Sequence, residues 1–404
     1  MGTARMFGFA PFHFEALRAL WYAPSGGADA GEVFAIASRI RDRDIGSWYS
    51  HWSGAARALA TAPHADPRSA GSAQLRASNY MRTAEFFLAP DAPERPASAA
   101  FAQAQFYAGL TTLGIAHERL SLPYENAVME ALLLPAARKA KALLVIHGGF
   151  DSTPEEMFFT IGREAQARGL DVLIYEGPGQ GNLLRNHRLP FDPAWEKALG
   201  TAIDAAVARR PYDAVIGMGV SMGGHFLARA AAREKRLDGI ILCDYFPAPI
   251  EAFKHGLPRA FHRALVKRHG WLMKLIAWRM RSDIELNWVV QNGKWVFGAD
   301  TLPDLIERVL RFDEGPWVEE IGAHVLAMTG TAEHFFDKNL YLGFAARLKR
   351  AASVTHVESG PDRGGELHCR NGAYHLLSDI IFDWIAERFG GGAPSASVKR
   401  INGR

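Results

Sequence analysis

From Lys141 onward, short unbroken apolar runs alternate with stretches whose apolar residues recur every three or four positions. The runs are KALLVIHG, DVLIYEG, AVIGMGV, GIILCDY, HVLAMTG and SVTHVES. A strand buried on both faces has no polar side to show, so such runs predict a parallel sheet covered by helices above and below. The helices are expected from Pro154, from Pro193, from Gly223, near Lys338 to Arg350, and from Gly372 to Arg388. Two further strands, ERLSLPY and AVMEALLLPA, precede this series and read as an antiparallel pair. The expected class is α/β, with a mostly parallel, doubly wound sheet.

The chain before Glu118 lacks that alternation. ARMFGFAPFHFEALRALWYA, GEVFAIASRIRDR, SWYSHWSGAARALATA, RSAGSAQLRASNYMRTAEFFL and SAAFAQAQFYAGLTTLG carry helical spacing, and PDAPERPASA reads as a loop between the last two. Residues 1–117 are therefore expected to form a helical N-terminal segment, and 118–245 with 321–390 the α/β core. Residues 246–320 interrupt the core as a helical lid. The tail GGGAPSASVKRINGR, over 391–404, has the composition of disorder. Within the lid, FKHGLPRAFHRALVKRHGWLMKLIAWRMR is basic, amphipathic and aromatic. A packed lid helix with a solvated basic face is the expectation there, and a membrane-surface or acidic-ligand role is the alternative.

Composition changes this picture little. The 404 residues are 48% hydrophobic and 22% charged, with a formal net charge of +3, and no dense Lys/Arg block argues for nucleic acid. Two cysteines, Cys243 and Cys369, make neither a disulfide scaffold nor a thiolate zinc site. No secretory leader pattern and no apolar stretch of about 18 residues is found, so a cytoplasmic protein without a membrane partner is expected. The apolar N-terminal helices could supply a homodimer surface.

The strongest local signal is GMGVSMGG. Gly219-Val220-Ser221-Met222-Gly223 follows a strand and opens a helix, the setting in which a tight turn lifts a nucleophilic serine above a sheet. Serine needs a base and an orienting acid, here expected downstream in the order acid, then histidine. Of fifteen histidines, His368 in GGELHCRNG lies between the last strand and the last helix, where that base belongs. His356 inside SVTHVES and His375 inside a helix read as structural. TGTAEHFFD offers Glu333 at the strand-end turn and Asp337 as a helix cap, and Asp244 ends the preceding strand. Glu333 is the expected acid, with Asp244 and Asp337 as alternatives.

HGGFDSTPEE follows the first parallel strand. Its backbone at Phe150, with the N–H of Met222, is expected to bind a developing oxyanion, and His147 to brace the loop. GPGQG, from Gly177 to Gly181, lacks dinucleotide-loop spacing, and HVES and ELHC lack ligand spacing. No cofactor and no metal is expected.

With these motifs in hand, the chain resembles a group of α/β-hydrolases. The group includes 2,6-dihydroxypseudooxynicotine hydrolase of bacterial nicotine breakdown and the fungal hydrolases that shorten polyketides in naphthol-pigment synthesis. The resemblance rests on DIGSWYSHW, ASNYMRTAEFFL, HGGFDSTPEE, YEGPGQG, GVSMGG and ELHC with NG beyond, and spans about Asp44 to Phe389. GVSMGG alone is common to many hydrolases; the combination is specific. The resemblance implies cleavage of a carbon–carbon bond beside a ketone. It places the nucleophile at Ser221, the base at His368 and the acid at Glu333, where aspartate is usual. It also implies a role for Asp151, which stands where the nicotine-pathway enzyme has a glutamate important for activity.

Carbon–carbon cleavage expels a carbanion equivalent, and a nearby carboxyl could hydrogen-bond an enol or help proton transfer. The competing reading gives Asp151 a local role, bonding the backbone of Thr153 or capping the helix at Pro154. The expected ligand is a small aromatic or apolar carbonyl compound. An esterase, thioesterase or acyltransferase would use the same triad, and a non-catalytic binding protein on this scaffold is a remote third reading.

Overall fold

The computed structural model describes residues 5–390. The apolar runs fold as anticipated into a single eight-stranded sheet: β1 (Glu118–Tyr124), β2 (Ala127–Leu134), β3 (Ala142–His147), β4 (Asp171–Tyr175), β5 (Ala214–Val220), β6 (Gly239–Cys243), β7 (His324–Gly330) and β8 (Ser353–Ser359). Their spatial order is β1-β2-β4-β3-β5-β6-β7-β8. β1 and β2 pair antiparallel, as does β2 with β4, and every later pairing is parallel. Every residue of β3, β4, β5 and β6 is buried. That is why these strands read as continuous apolar runs, while edge strand β8 alternates. This is the α/β-hydrolase arrangement, and it sets β5 centrally with its C-terminal end pointing into the site.

Five N-terminal helices cover one end of the sheet: α1 (Ala10–Trp21), α2 (Ala30–Ala37), α3 (Ile45–Thr61), α4 (Pro67–Glu85) and α5 (Glu94–Thr112). Asp29, Asp44 and Asp66 cap α2, α3 and α4 by accepting backbone N–H bonds at the third helical residue. Their facing stripes make a separate core in which Phe12, Trp48, Trp52 and Tyr80 have no exposed surface. The segment PDAPERPASA is only partly loop, because α5 already begins at Glu94. Pro96 sits in the first turn, where the missing N–H would have had no intrahelical acceptor, so the proline is tolerated.

Between β6 and β7 the chain makes the helices Ile250–His255, Arg259–Val266, Gly270–Arg279, Ile284–Phe297 and Leu302–Val309. Among the described residues no helix is long and apolar enough to cross a membrane. The tail 391–404 lies outside the described residues.

Candidate active site

β5 ends in a turn that only small neighbours permit. Ser221 has φ +59°, a left-handed conformation that costs a non-glycine residue energy. A Cβ on Gly219 would lie 2.1 Å from the Gly223 carbonyl oxygen, and one on Gly223 would lie 2.6 Å from that of Gly148. The G-x-S-x-G pattern is therefore a steric requirement of this turn. The strained turn holds the Ser221 hydroxyl above the sheet.

Ser221 Oγ lies 2.8 Å from His368 Nε2, and His368 Nδ1 lies 2.6 Å from Glu333 Oε2. With Nδ1–H donated to the carboxylate, Nε2 keeps its lone pair for the serine proton. Burial works against an imidazolium at His368, but the Cys369 sulfur and the Glu333 carboxylate outweigh it, and its pKa is raised well above the ordinary value. Burial would raise the Glu333 carboxyl, yet the His368 charge and hydrogen bond prevail and lower it. Its other oxygen accepts the Phe335 N–H at 2.8 Å.

The two alternative acids sit elsewhere. Asp244 Oδ2 is 3.9 Å from His368 Nδ1 and instead accepts the Cys369 N–H at 3.1 Å. Its other oxygen is engaged by the buried Arg370 guanidinium. Asp337 accepts the Asn339 N–H at 3.0 Å, on the surface before the next helix. His356 bonds Thr329 Oγ1 at 3.0 Å and stacks on Tyr341, away from the serine. His375 lies in the last helix, Tyr374–Phe389.

Gly149 packs against the elbow so closely that an added Cβ would stand 2.8 Å from the Met222 nitrogen. Among the described residues, neither the Met222 nor the Phe150 N–H has a backbone acceptor outside regular secondary structure. Gln180, from GPGQG, holds the loop: its Nε2 donates to the carbonyls of Gly148 at 2.8 Å and Gly149 at 2.9 Å. Sequence reasoning dismissed GPGQG as a phosphate loop without finding this clamp. His147 is buried beside Trp195, and burial lowers its pKa to about 4, so it stays neutral and braces the loop.

Asp151 makes neither of the local contacts considered for it. The Thr153 N–H goes to Glu156 Oε2 at 3.2 Å, while Asp151 Oδ2 accepts from Arg18 of α1 at 3.0 Å. Arg18 also reaches Glu15 at 3.3 Å and Glu156 at 2.8 Å. Arg82 of α4 pairs with Glu156, and Tyr22 donates to it at 2.9 Å. Three carboxylates thus share two guanidiniums. Burial first, then Asp151 and Glu156, push the Glu15 carboxyl up to about 7 against the pull of Arg18 and Arg82. A proton on Glu15 would balance the cluster.

A cavity of about 530 Å³ joins Ser221 and His368 to Glu15, Arg18 and Asp151. Phe14, Trp21, Phe86, Phe87, Trp288 and Phe335 line its apolar walls. Of the lid aromatics expected to shape the pocket (Phe246, Phe253, Trp271, Trp278 and Trp288), only Trp288 lines it. Phe246 is buried, Phe253 packs on the core, and Trp271 and Trp278 face solvent. Phe14, Leu17 and Trp21 of the walls come from α1, whose EALRALWY places charges beside apolar residues on one face; that mixed stripe was the signal available and missed. Asp244, Glu333 and His368 come within 4.8 Å of one another, a spacing a metal ion could use. Here Arg370 already neutralises Asp244, and both His368 nitrogens are engaged.

The chain is similar to known hydrolases in sequence and in fold. The family profile described as Alpha/beta hydrolase family matches residues 143–378. Hydrolase LUC6 of a Fusarium species is 33% identical over 411 residues, covering 94% of this chain and 96% of its own. The 20-hydroxy-prefusarin hydrolase FUS2 of Gibberella moniliformis is 30% identical over 410 residues, covering 94% and 96%. The solved structure of 2,6-dihydroxy-pseudo-oxynicotine hydrolase superposes with a TM-score of 0.70 at 18% identity, over 93% of this chain and 98% of that one.

Proposed function

Because the chain belongs to the alpha/beta hydrolase family, we propose that it is a serine hydrolase cleaving a carbon–carbon bond beside a ketone in an aromatic or polyketide-like substrate. The observation that carries this reading is the hydrogen-bonded series Ser221–His368–Glu333 at one end of an aromatic cavity with the Arg18–Asp151 pair lining it too. An ester hydrolase has little use for a buried cation and carboxyl cluster in its pocket. The resemblance to hydrolases that act beside a ketone points the same way.

Ser221 passes its proton to His368 Nε2 as Oγ attacks the ketone carbon, and the N–H groups of Met222 and Phe150 take the oxyanion. Collapse breaks the carbon–carbon bond. The electron pair leaves with the carbon, delocalised as an enolate whose oxygen faces the Arg18 guanidinium, and His368 returns the proton to it. Asp151 holds that guanidinium in place. Water, deprotonated by His368, then attacks the Ser221 ester, releases a carboxylic acid and restores the hydroxyl.

Two measurements test this. A fluorophosphonate probe is expected to label the protein at Ser221 and to leave Ser221→Ala unlabelled; absence of labelling in the wild type rejects the triad. Asp151→Asn is then compared on a p-nitrophenyl ester and on benzoylacetone, a β-diketone. A loss of about 100-fold or more confined to the diketone is expected, in the range of a general acid–base or polarising contribution. Equal losses on both substrates would make Asp151 a structural residue and remove its support for carbon–carbon cleavage.

A further inference from the structure

The lid helix Gly270–Arg279 is apolar on two sides. Leu272, Met273 and Ile276 point inward and are buried, as an amphipathic surface helix requires. Its outer side should then be polar. Instead Trp271, Leu275 and Trp278, at i, i+4 and i+7, keep 52%, 42% and 63% of their surface exposed. They form one stripe with Lys274 between them. Phe261 of the preceding helix Arg259–Val266 meets Trp271 edge-on at 5.3 Å and extends the stripe.

Along the chain the charge of this segment is of one sign, and among the described residues only Lys254, Arg268 and Arg279 meet carboxylates, those of Glu251, Glu307 and Asp283. From Lys254 to Ser282 the chain carries eight lysines and arginines and no acidic residue. Arg259, Arg263, Lys267, Lys274 and Arg281 have no carboxylate partner within 4.0 Å among the described residues. Exposed tryptophans embedded in unpaired cations fit a headgroup layer, where indole rings settle at the interface and cations meet anionic lipid. A second copy of the chain fits poorly, because a twofold contact would set this positive patch against itself. Nucleic acid would engage the cations and leave Trp278 and Leu275 in water.

We propose that the outer face of the helices Arg259–Val266 and Gly270–Arg279 docks on an anionic lipid surface. The next helix, Ile284–Phe297, contributes Trp288 and Val289 to the cavity wall. Docking would therefore set the lid of the apolar cavity beside the phase in which apolar ketones concentrate. This inference stands independently of the reaction proposed above.

The full chain is mixed with phosphatidylcholine vesicles, with and without a quarter of phosphatidylserine, and bound protein is read by flotation and by tryptophan emission. Binding and a blue shift are expected only with phosphatidylserine, and binding should weaken with salt. Trp271→Ala/Trp278→Ala and Lys267→Glu/Lys274→Glu should each lower partitioning about tenfold or more, with melting temperatures within a few degrees of the wild type. No binding to anionic vesicles overturns the proposal. So does binding that both double variants retain, or a dimer in sedimentation equilibrium that dissociates in Trp271→Ala/Trp278→Ala.

Discussion

Two carboxylates stand near His368, and each has a different neighbour to satisfy. Glu333 meets the imidazole directly, whereas Asp244 is committed to the Arg370 guanidinium and the Cys369 backbone. Glu333→Gln is therefore expected to lower kcat by about 10⁴-fold, the cost of losing the orienting acid, with little change in melting temperature. Asp244→Asn should do the reverse in emphasis: leaving Arg370 buried without its counter-charge costs on the order of 3–5 kcal/mol in stability. Melting curves and steady-state rates on both variants separate the roles.

Glu15 carries a pH signature of its own. Its folded-state pKa of about 7 exceeds the ordinary 4.5, so folding favours its protonated form. The stability this provides is fully present below the unfolded pKa and is lost as pH rises through about 7, on the order of 3 kcal/mol in all. The groups facing it are Arg18 on its own helix, Arg82 on α4, and Asp151 and Glu156 after β3. Glu15→Gln should flatten that part of the stability–pH curve in denaturant titrations between pH 4 and 8. Ser221, His368 and Glu333 could be singled out from sequence because their position relative to strands carries information. Glu15 and Arg18 could not, since a helix stripe shows spacing but not what lies across from it.

At the scale of elements, the strands were readable nearly to the residue, because burial on both faces leaves an unmistakable apolar run. β1, β5, β7 and β8 start and stop where the sequence places them. Loops were not readable in this way. GPGQG gains its meaning from contact with another loop, through the two bonds of Gln180 to Gly148 and Gly149. Gln180→Ala should free that loop and misplace the Phe150 N–H. A drop in kcat of about 10–100-fold, with KM changed far less, is the expected outcome. A change confined to KM would show that the clamp serves binding alone. The lid aromatics teach a related lesson: composition told that the segment was apolar, but only packing tells which ring faces the cavity.

For the whole molecule, the N-terminal helices are part of the site and not an appendage to it. Phe14, Leu17, Trp21 and Arg18 of α1 line the cavity, so a chain lacking residues 1–41 should expose Trp288 and Phe335 to water. Such a truncation is expected to bind an apolar fluorescent dye and to lose the labelling of Ser221 by a bulky aromatic fluorophosphonate. Retention of normal labelling would show that the core closes its own pocket. The sequence marked this region as helical and separate from the alternating core, yet gave no register between the two, because the contacts span hundreds of residues.

One such contact has a bearing on how the protein is made. The Asn371 side chain donates to the Phe14 carbonyl at 2.9 Å, joining positions 357 residues apart. A ribosome translates α1 long before it reaches the turn that carries His368. The face of the first helix that carries Phe14 must therefore wait for its partners His334, Phe335 and Asn371 until nearly the whole polypeptide has emerged. The cavity closes late, so a nascent chain stalled before Asn371 holds Ser221 and no closed pocket.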